Sequence, residues 1–504
     1  MPDPILFRRG DWSFEFDPGT GFIRRLRFGR EQLLLALYCA VRGTDWSTYP
    51  FRARDYKASG EGCSWVSESV GAPFRWTTKA ALTDAGFEYE VEGEALEEFQ
   101  TCRTGLCVLH PMEVAGCPAT AVHTDGTTED KPFPTHVSPH QPFEDLKEIH
   151  YRGRHGHRVE VAFDGEVFEM EDQRNWSDAS FKTYCRPLGS GRPYTLAKGQ
   201  RLRHAVKVRC AGDPAMERMP LGLFGKLPRL SVLLDGLLDQ QIPAIAALGQ
   251  KRAATSDPKA VAAAKRSGVS LDLLVPLAGA SAAPVVEAPT TDSILWVVSD
   301  GWSPAAEQAL AALRKTWGTA GWQLGLTTSQ NFTELNRARP VDSKADWIGF
   351  AASPQIHAFD DWSIVENAAT FAPIGETARM FAGGARLCAG PIRFESPYRP
   401  QDPRASGSLG GLYTLLALAA TAVGRFDAVI LGKASLLTDA ASQAGEVLRT
   451  VAASGATQVE WRRAEGSETI ALKGGRTSLL WRVNPEPRPQ NGIGKFGYRM
   501  EAQR

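Results

Sequence analysis

Charge of one sign is what this chain lacks most plainly: 57 lysines and arginines balance 57 aspartates and glutamates. Without a long-range field, neither nucleic acid nor an anionic membrane is expected as a partner, and small polar molecules are. Long apolar runs are missing too. Leu33 to Val41 is too short to span a bilayer. The opening Met-Pro-Asp-Pro-Ile-Leu-Phe-Arg-Arg carries no apolar core of signal-peptide length, so a cytoplasmic protein is expected. Eight cysteines are scattered without a CxxC pair. Cys102 and Cys107 lie nearest each other but have no distal counterpart, which disfavours a zinc knuckle and suits reduced thiols. No Gly-x-Ser-x-Gly elbow is present, which disfavours a serine-triad esterase. No glycine-rich dinucleotide turn follows a strand-like run. No reliable metal constellation stands out and no cofactor is expected; uptake of a divalent cation by a carboxylate and histidine site stays open.

What is present reads as an ordinary soluble composition, 43% apolar and 23% charged, in a chain too long for one core. Residues 1–215 alternate in short aromatic and β-branched runs, such as Trp12 to Phe16 and Phe87 to Gly93, separated by Gly, Pro and Asp. That pattern predicts an antiparallel β-sandwich, of which a mutarotase-like supersandwich is one form. The polar stretch Asp125 to Glu148 reads as a functional loop. Residues 221–455 change period. Seven buried-strand candidates, beginning at Leu230, Ser270, Ile294, Trp322, Trp347, Leu387 and Ala428, are interleaved with alanine-rich helical stretches. A TIM-type (β/α)8 barrel is predicted, with the open doubly wound sheet as runner-up. Residues 456–504 return to strands as a small closing β-unit, with an irregular tail from Pro485.

Two features carry chemistry. The first is Glu169 to Tyr184, where four carboxylates, an arginine, a lysine, two amides and four hydroxyls surround Trp176, Phe181 and Tyr184. It is either a structural ion-pair knot or part of a pocket, because charges are rarely buried unpaired. The second is the set of barrel strand ends, where reactive groups of such barrels gather. These bring Asn331, Glu334, Asn336 and Arg337, then Gln355, His357, Asp360 and Asp361, then Arg393 and Glu395, and finally Lys433. Helix capping is the plainer explanation for Asn331 and Asp361. Six of the nine histidines (His123, His136, His140, His150, His155, His157) crowd one stretch, but their spacing presents no single ligand face.

Asn331 to Pro340 and Ser353 to Asp361 resemble the barrel of the D-apionate lactonase family, and Glu169 to Leu188, His110-Pro111 and Phe133 to Phe143 resemble its N-terminal domain. The resemblance implies a bacterial catabolic hydrolase that opens D-apionolactone, a sugar lactone, to D-apionate, with a β-sandwich, a barrel and a C-terminal β-domain. It also implies a carboxylate on the late barrel strand, where this chain reads Val429-Ile-Leu-Gly-Lys-Ala-Ser, and a longer segment than residues 221–300 provide. For lactone opening, His357 suits general base or acid, with Asp360 or Asp361 orienting it and Glu334 beside it in the catalytic set. Asn331, Gln355 or Arg393 suit the oxyanion, Glu334 and Asn336 the substrate hydroxyls. Glu171, Asp172 and Arg174 would add contacts from the sandwich. A glycoside hydrolase of the same architecture and a non-catalytic carbohydrate-binding relative stand as alternatives, and the sequence does not fix oligomeric state. All of this requires the acidic signature to meet an imidazole about 180 positions away.

Overall fold

Period-two alternation builds the N-terminal part of the chain. In the strand Phe74–Thr83, Phe74, Trp76, Thr78, Ala80 and Leu82 are buried while Thr77 and Lys79 face solvent, as a pleated strand with one wet face requires. The computed structural model describes residues 3–153, 156–213, 221–280, 285–464, 467–474, 478–486, 488, 490 and 492–503. These form two units, one of residues 1–173 and 179–219, the other of residues 174–178 and 220–504. The sequence-based boundary at 215 and His155 lie outside the described residues.

The first unit is a 16-stranded antiparallel sheet. It runs from Ile5–Arg9 at one edge, through Glu31–Arg42, Arg103–Pro111, Ser180–Tyr184 and Phe168–Asp172, to Phe51–Ser59 at the other. Phe14 packs edge-on against Phe87, and Phe16 lies 4.5 Å from Trp65 between ring centroids. Strands from opposite ends of the sheet therefore face each other, and the sheet folds over into a two-layered sandwich. The three central strands are buried on both faces, which is why their sequences do not alternate. Asp125 to Glu148 is not all loop: Thr128–Pro132 pairs with Pro118–His123, and Phe133 and Val137 are fully buried.

In the second unit, eight parallel strands close into a barrel: Arg229–Leu233, Arg252–Thr255, Ser270–Pro276, Ile294–Ser299, Gln323–Thr328, Trp347–Ala352, Arg386–Ile392 and Ala428–Leu431. Arg252–Thr255 is the one the sequence reading lacked. Its Arg-Ala-Ala-Thr has β propensity only at its last residue. Trp296 and Trp347 meet at 62° inside the barrel, and Trp296 occupies the space that a side chain at Gly325 would need. The Trp296 indole N–H donates to Asp272, which is ion-paired with Arg252 at 3.0 Å. Aromatics and a buried ion pair thus fill the interior. The strand Leu221–Lys226, placed by sequence at the start of the barrel, pairs instead with Gln458–Ala464. It completes an antiparallel sheet of five with Ser467–Lys473, Ser478–Asn484 and Gly497–Gln503. The last of these lies in the tail expected to be irregular; its residues pair in register with Ser478–Asn484. Among the described residues no helix is long and apolar enough to cross a membrane.

Two stability predictions follow from buried or strained positions. His110 is fully buried among Phe133 and Tyr151, and burial pulls its imidazole from 6.5 to about 3. The unfolded chain therefore takes up this proton first. The contribution is complete above pH 6.5 and declines toward pH 3, by at most about 1.4 kcal/mol per pH unit. Urea unfolding between pH 7 and pH 4 should show a shallower pH slope for His110→Gln than for the parent, and parallel slopes would refute this account. Gly165 has φ +106°, and a Cβ there would sit 1.9 Å from the Arg203 carbonyl oxygen, whereas Gly10 (φ +54°) has open space around it. Gly165→Ala should cost more than about 1 kcal/mol and lower the urea midpoint further than Gly10→Ala.

Candidate functional site

Five residues, Arg174 to Asp178, leave the first unit's sheet between two of its strands and belong with the barrel unit. A short 3-10 turn, Gln173–Trp176, starts the excursion. Ser177 then adopts φ +64°, a left-handed conformation that costs a non-glycine residue roughly 1 kcal/mol. The strain turns Asp178 onto His357, whose Nδ1 lies 2.6 Å from the Asp178 carboxylate, with both side chains about nine-tenths buried. Asn367, the last residue of the helix Asp361–Asn367, donates to the other Asp178 oxygen at 3.1 Å and to the Pro354 carbonyl at 2.9 Å. Trp176 stands edge-on to the imidazole at 5.6 Å, and the Arg337 guanidinium lies over the indole, 5.9 Å from its centroid. Asn336 donates to Asn175 at 2.9 Å. Both oxygens of Asp178 are held, so the imidazole is fixed in tautomer and plane, the arrangement that prepares a histidine for proton transfer.

The remaining strand ends sort differently. Gln355 is fully buried. Its amide nitrogen donates to the Phe394 carbonyl and to Asp402, and its oxygen accepts from Arg404. Both amide hydrogens are thus spent, which is at odds with a substrate-binding role. Asn336 is likewise fully buried. Arg404 ties Asp402 at 2.5 Å and Asp361 at 2.6 Å, and Asp360 caps its helix through Ser363. The carboxylate that holds His357 Nδ1 is therefore Asp178, and Asp361 is committed to a guanidinium. Lys433 meets Glu395 at 2.7 Å, so an acid from the seventh strand's end stands against the lysine found at the eighth. Arg393 is exposed at the end of the seventh strand. Asn331 is half-buried at a helix N-terminus without a side-chain capping bond. Glu334 is half-exposed, 3.5 Å from Arg337.

In the first unit the acidic signature is an ion-pair cluster. Glu171 pairs with Lys182, and Glu169 accepts from the Tyr184 hydroxyl at 2.5 Å and from the Leu188 N–H at 2.6 Å. Arg103 stacks 3.6 Å above the Tyr184 ring. Burial works against a charged Glu171, but Lys182, Arg103 and Arg42 outweigh it and hold its carboxyl below the usual range. Asp172 accepts from the Ser138 N–H at 2.8 Å, and Arg174 is fully buried. The clustered histidines serve local contacts: His150 pairs with Glu148, His123 meets the Asp145 carbonyl and His157 the Asp213 carbonyl. Asp178, Asn367 and Arg404 were not singled out from sequence. Asp178 carried one usable signal. It is set apart from Glu169, Glu171 and Asp172 by five residues that include Trp176, and so falls outside their closely spaced run.

Comparison with known proteins agrees with these features. Residues 1–213 match the model of the D-apionate lactonase N-terminal domain and residues 274–457 that of the D-apionate lactonase TIM barrel domain. A D-apionate lactonase from Brucella anthropi is 27% identical over 465 residues, which is 80% of this chain and 74% of that protein. Among solved structures, a putative aldose 1-epimerase from Escherichia coli K12 aligns with 41% of this chain and 98% of its own, at 11% identity and a TM-score of 0.30. A GH36 α-galactosidase from Geobacillus stearothermophilus aligns with 95% of this chain and 92% of its own, at 10% identity and a TM-score of 0.31. Likenesses that low carry no weight for function. With both domain models matched in order along the sequence, the chain belongs to the D-apionate lactonase family.

Proposed function

We propose that this protein opens a sugar lactone, D-apionolactone or a related aldonolactone, to the free sugar acid in carbohydrate catabolism, with His357 as the proton-transfer group and Asp178 as its orienting carboxylate. The observation that carries this reading is the 2.6 Å contact between His357 Nδ1 and Asp178. A proton kept on Nδ1 by the carboxylate leaves the basic lone pair on Nε2. That nitrogen takes a proton from water as the oxygen attacks the lactone carbonyl carbon. The tetrahedral oxyanion is stabilised by the exposed guanidinium of Arg393. As the C–O bond to the ring oxygen breaks, the imidazolium returns the proton to the departing alkoxide, and one carboxylic acid and one hydroxyl result. Glu334 and Asn331 are assigned to the substrate hydroxyls.

The family name and the relative from Brucella anthropi support the lactone as substrate class. His357→Ala should lower turnover of D-apionolactone by about 10²- to 10⁴-fold, the usual worth of general acid–base catalysis. Asp178→Asn should fall in the same range, and Glu334→Gln should raise KM more than it lowers kcat. The measurement is proton release from D-apionolactone and five-carbon aldonolactones, with aryl glycosides as the contrasting substrates. Turnover of His357→Ala within a few-fold of the parent would remove the imidazole from the chemistry. Glycoside cleavage without lactone opening would replace the reaction class.

A further inference from the structure

Three side chains of the first unit, outside the groups used above, bring a carboxylate, a thiol and an imidazole together. Glu166 lies in the turn between the strands Arg158–Asp164 and Phe168–Asp172, Cys185 directly follows the strand Ser180–Tyr184, and His204 lies on Arg201–Ala211. One donor atom from each falls within 4.8 Å of the other two. We propose that Glu166, Cys185 and His204 bind a divalent zinc ion, with a water molecule in the fourth position.

His204 is 1% exposed, and its Nδ1 is buried without a hydrogen-bond partner among the described residues. Its Nε2 has only the Glu166 carboxylate, at 3.4 Å. That is longer than the roughly 2.7–2.9 Å of a charge-assisted hydrogen bond. It equals the edge of a tetrahedron built on metal–ligand bonds of about 2.0–2.3 Å, which comes to roughly 3.3–3.8 Å. The spacing between Nε2 and the carboxylate is therefore that of two ligands sharing one ion. Cys185 supplies the soft ligand. It is fully buried, and its Sγ accepts the Leu106 N–H at 3.3 Å, the outer-shell bond that supports a metal-bound thiolate. Gly105 leaves the room the sulfur fills, since a Cβ there would lie 2.5 Å from it. Without metal, burial keeps the Cys185 thiol protonated. Zinc displaces that proton to solvent as the Zn–S bond forms. The Glu166 side chain, 30% exposed, provides the solvent-facing ligand that closes the triangle. Sulfur, nitrogen and oxygen together match zinc better than magnesium or calcium, which prefer oxygen alone.

The test uses the full chain, stripped with a chelator and titrated with Zn²⁺ against a chromogenic competitor, then with Co²⁺ as a spectroscopic substitute. One equivalent should bind, Co²⁺ should give a thiolate-to-metal charge-transfer band, and Zn²⁺ should raise the Tm. Because loss of an outer-shell partner alone weakens metal sites about 10- to 100-fold, Glu166→Gln should lose at least about 100-fold in affinity. Cys185→Ser should lose the charge-transfer band. Glu166→Gln alters a partly exposed group and keeps the test decisive should Cys185→Ser fail to fold. Stoichiometry well below one, a cobalt complex lacking the sulfur band, or affinity unchanged in Glu166→Gln would each overturn the assignment. No readout depends on lactone turnover, so the two proposals stand or fall separately.

Discussion

The contact between Asp178 and His357 is the constraint around which the candidate site is organised. A carboxylate about nine-tenths buried is costly unless its oxygens are occupied. Here Nδ1 of the imidazole takes one oxygen and the Asn367 amide the other. The same amide donates to the Pro354 carbonyl, so the loop carrying His357, the helix ending at Asn367 and the excursion carrying Asp178 are fixed to one another. Ser177, held at φ +64°, shows that the backbone accepts strain to keep this geometry. Strain of that kind persists only where surrounding contacts over-determine it.

Burial of charge is handled in two ways along the Glu169–Tyr184 signature. Residues still in the sheet neutralise each other across adjacent strands. Glu171 stands opposite Lys182 and Glu169 opposite Tyr184 in the antiparallel register, so each acid meets its partner directly across the ladder, where cross-strand pairing is strongest. Once the chain leaves the strand, its polar groups look elsewhere: Asn175 accepts from Asn336, and Asp178 holds His357. The signature is therefore both an ion-pair knot and a contributor to a site, divided at the point where the strand ends.

That division explains what the sequence could and could not reveal. The barrel was legible because seven of its eight strands are apolar runs of strand length. Arg252–Thr255 was not, because two alanines in four residues fit a helix equally well. The pairing of Leu221–Lys226 with Gln458–Ala464 depends on a partner more than 230 positions away, and no local pattern encodes it. At the site, strand-end placement singles out His357, but proximity in sequence points to Asp360 and Asp361 for its orienting acid. Those two are absorbed by a helix cap and by Arg404. Gln355 offers an amide at a strand end, yet the number of hydrogen bonds that amide already makes is a property of packing that residue type does not disclose.

The distribution of charge around the strand ends bears on which reaction they favour. Retaining and inverting glycosidases typically need two carboxyl groups free to act on opposite sides of a scissile bond. Around this barrel the acids are largely engaged: Asp361 and Asp402 by Arg404, Glu395 by Lys433, Asp235 by Ser435, and Asp300 by Ser329. A carboxylate whose oxygens are held by a guanidinium, an ammonium or a hydroxyl is not placed to act on a scissile bond as that chemistry requires. An imidazole held by a carboxylate is placed for proton transfer, since the anion stabilises the imidazolium that forms as it accepts a proton. Lactone opening asks for one such group, able to take a proton and give it back, together with a cation near the developing oxyanion.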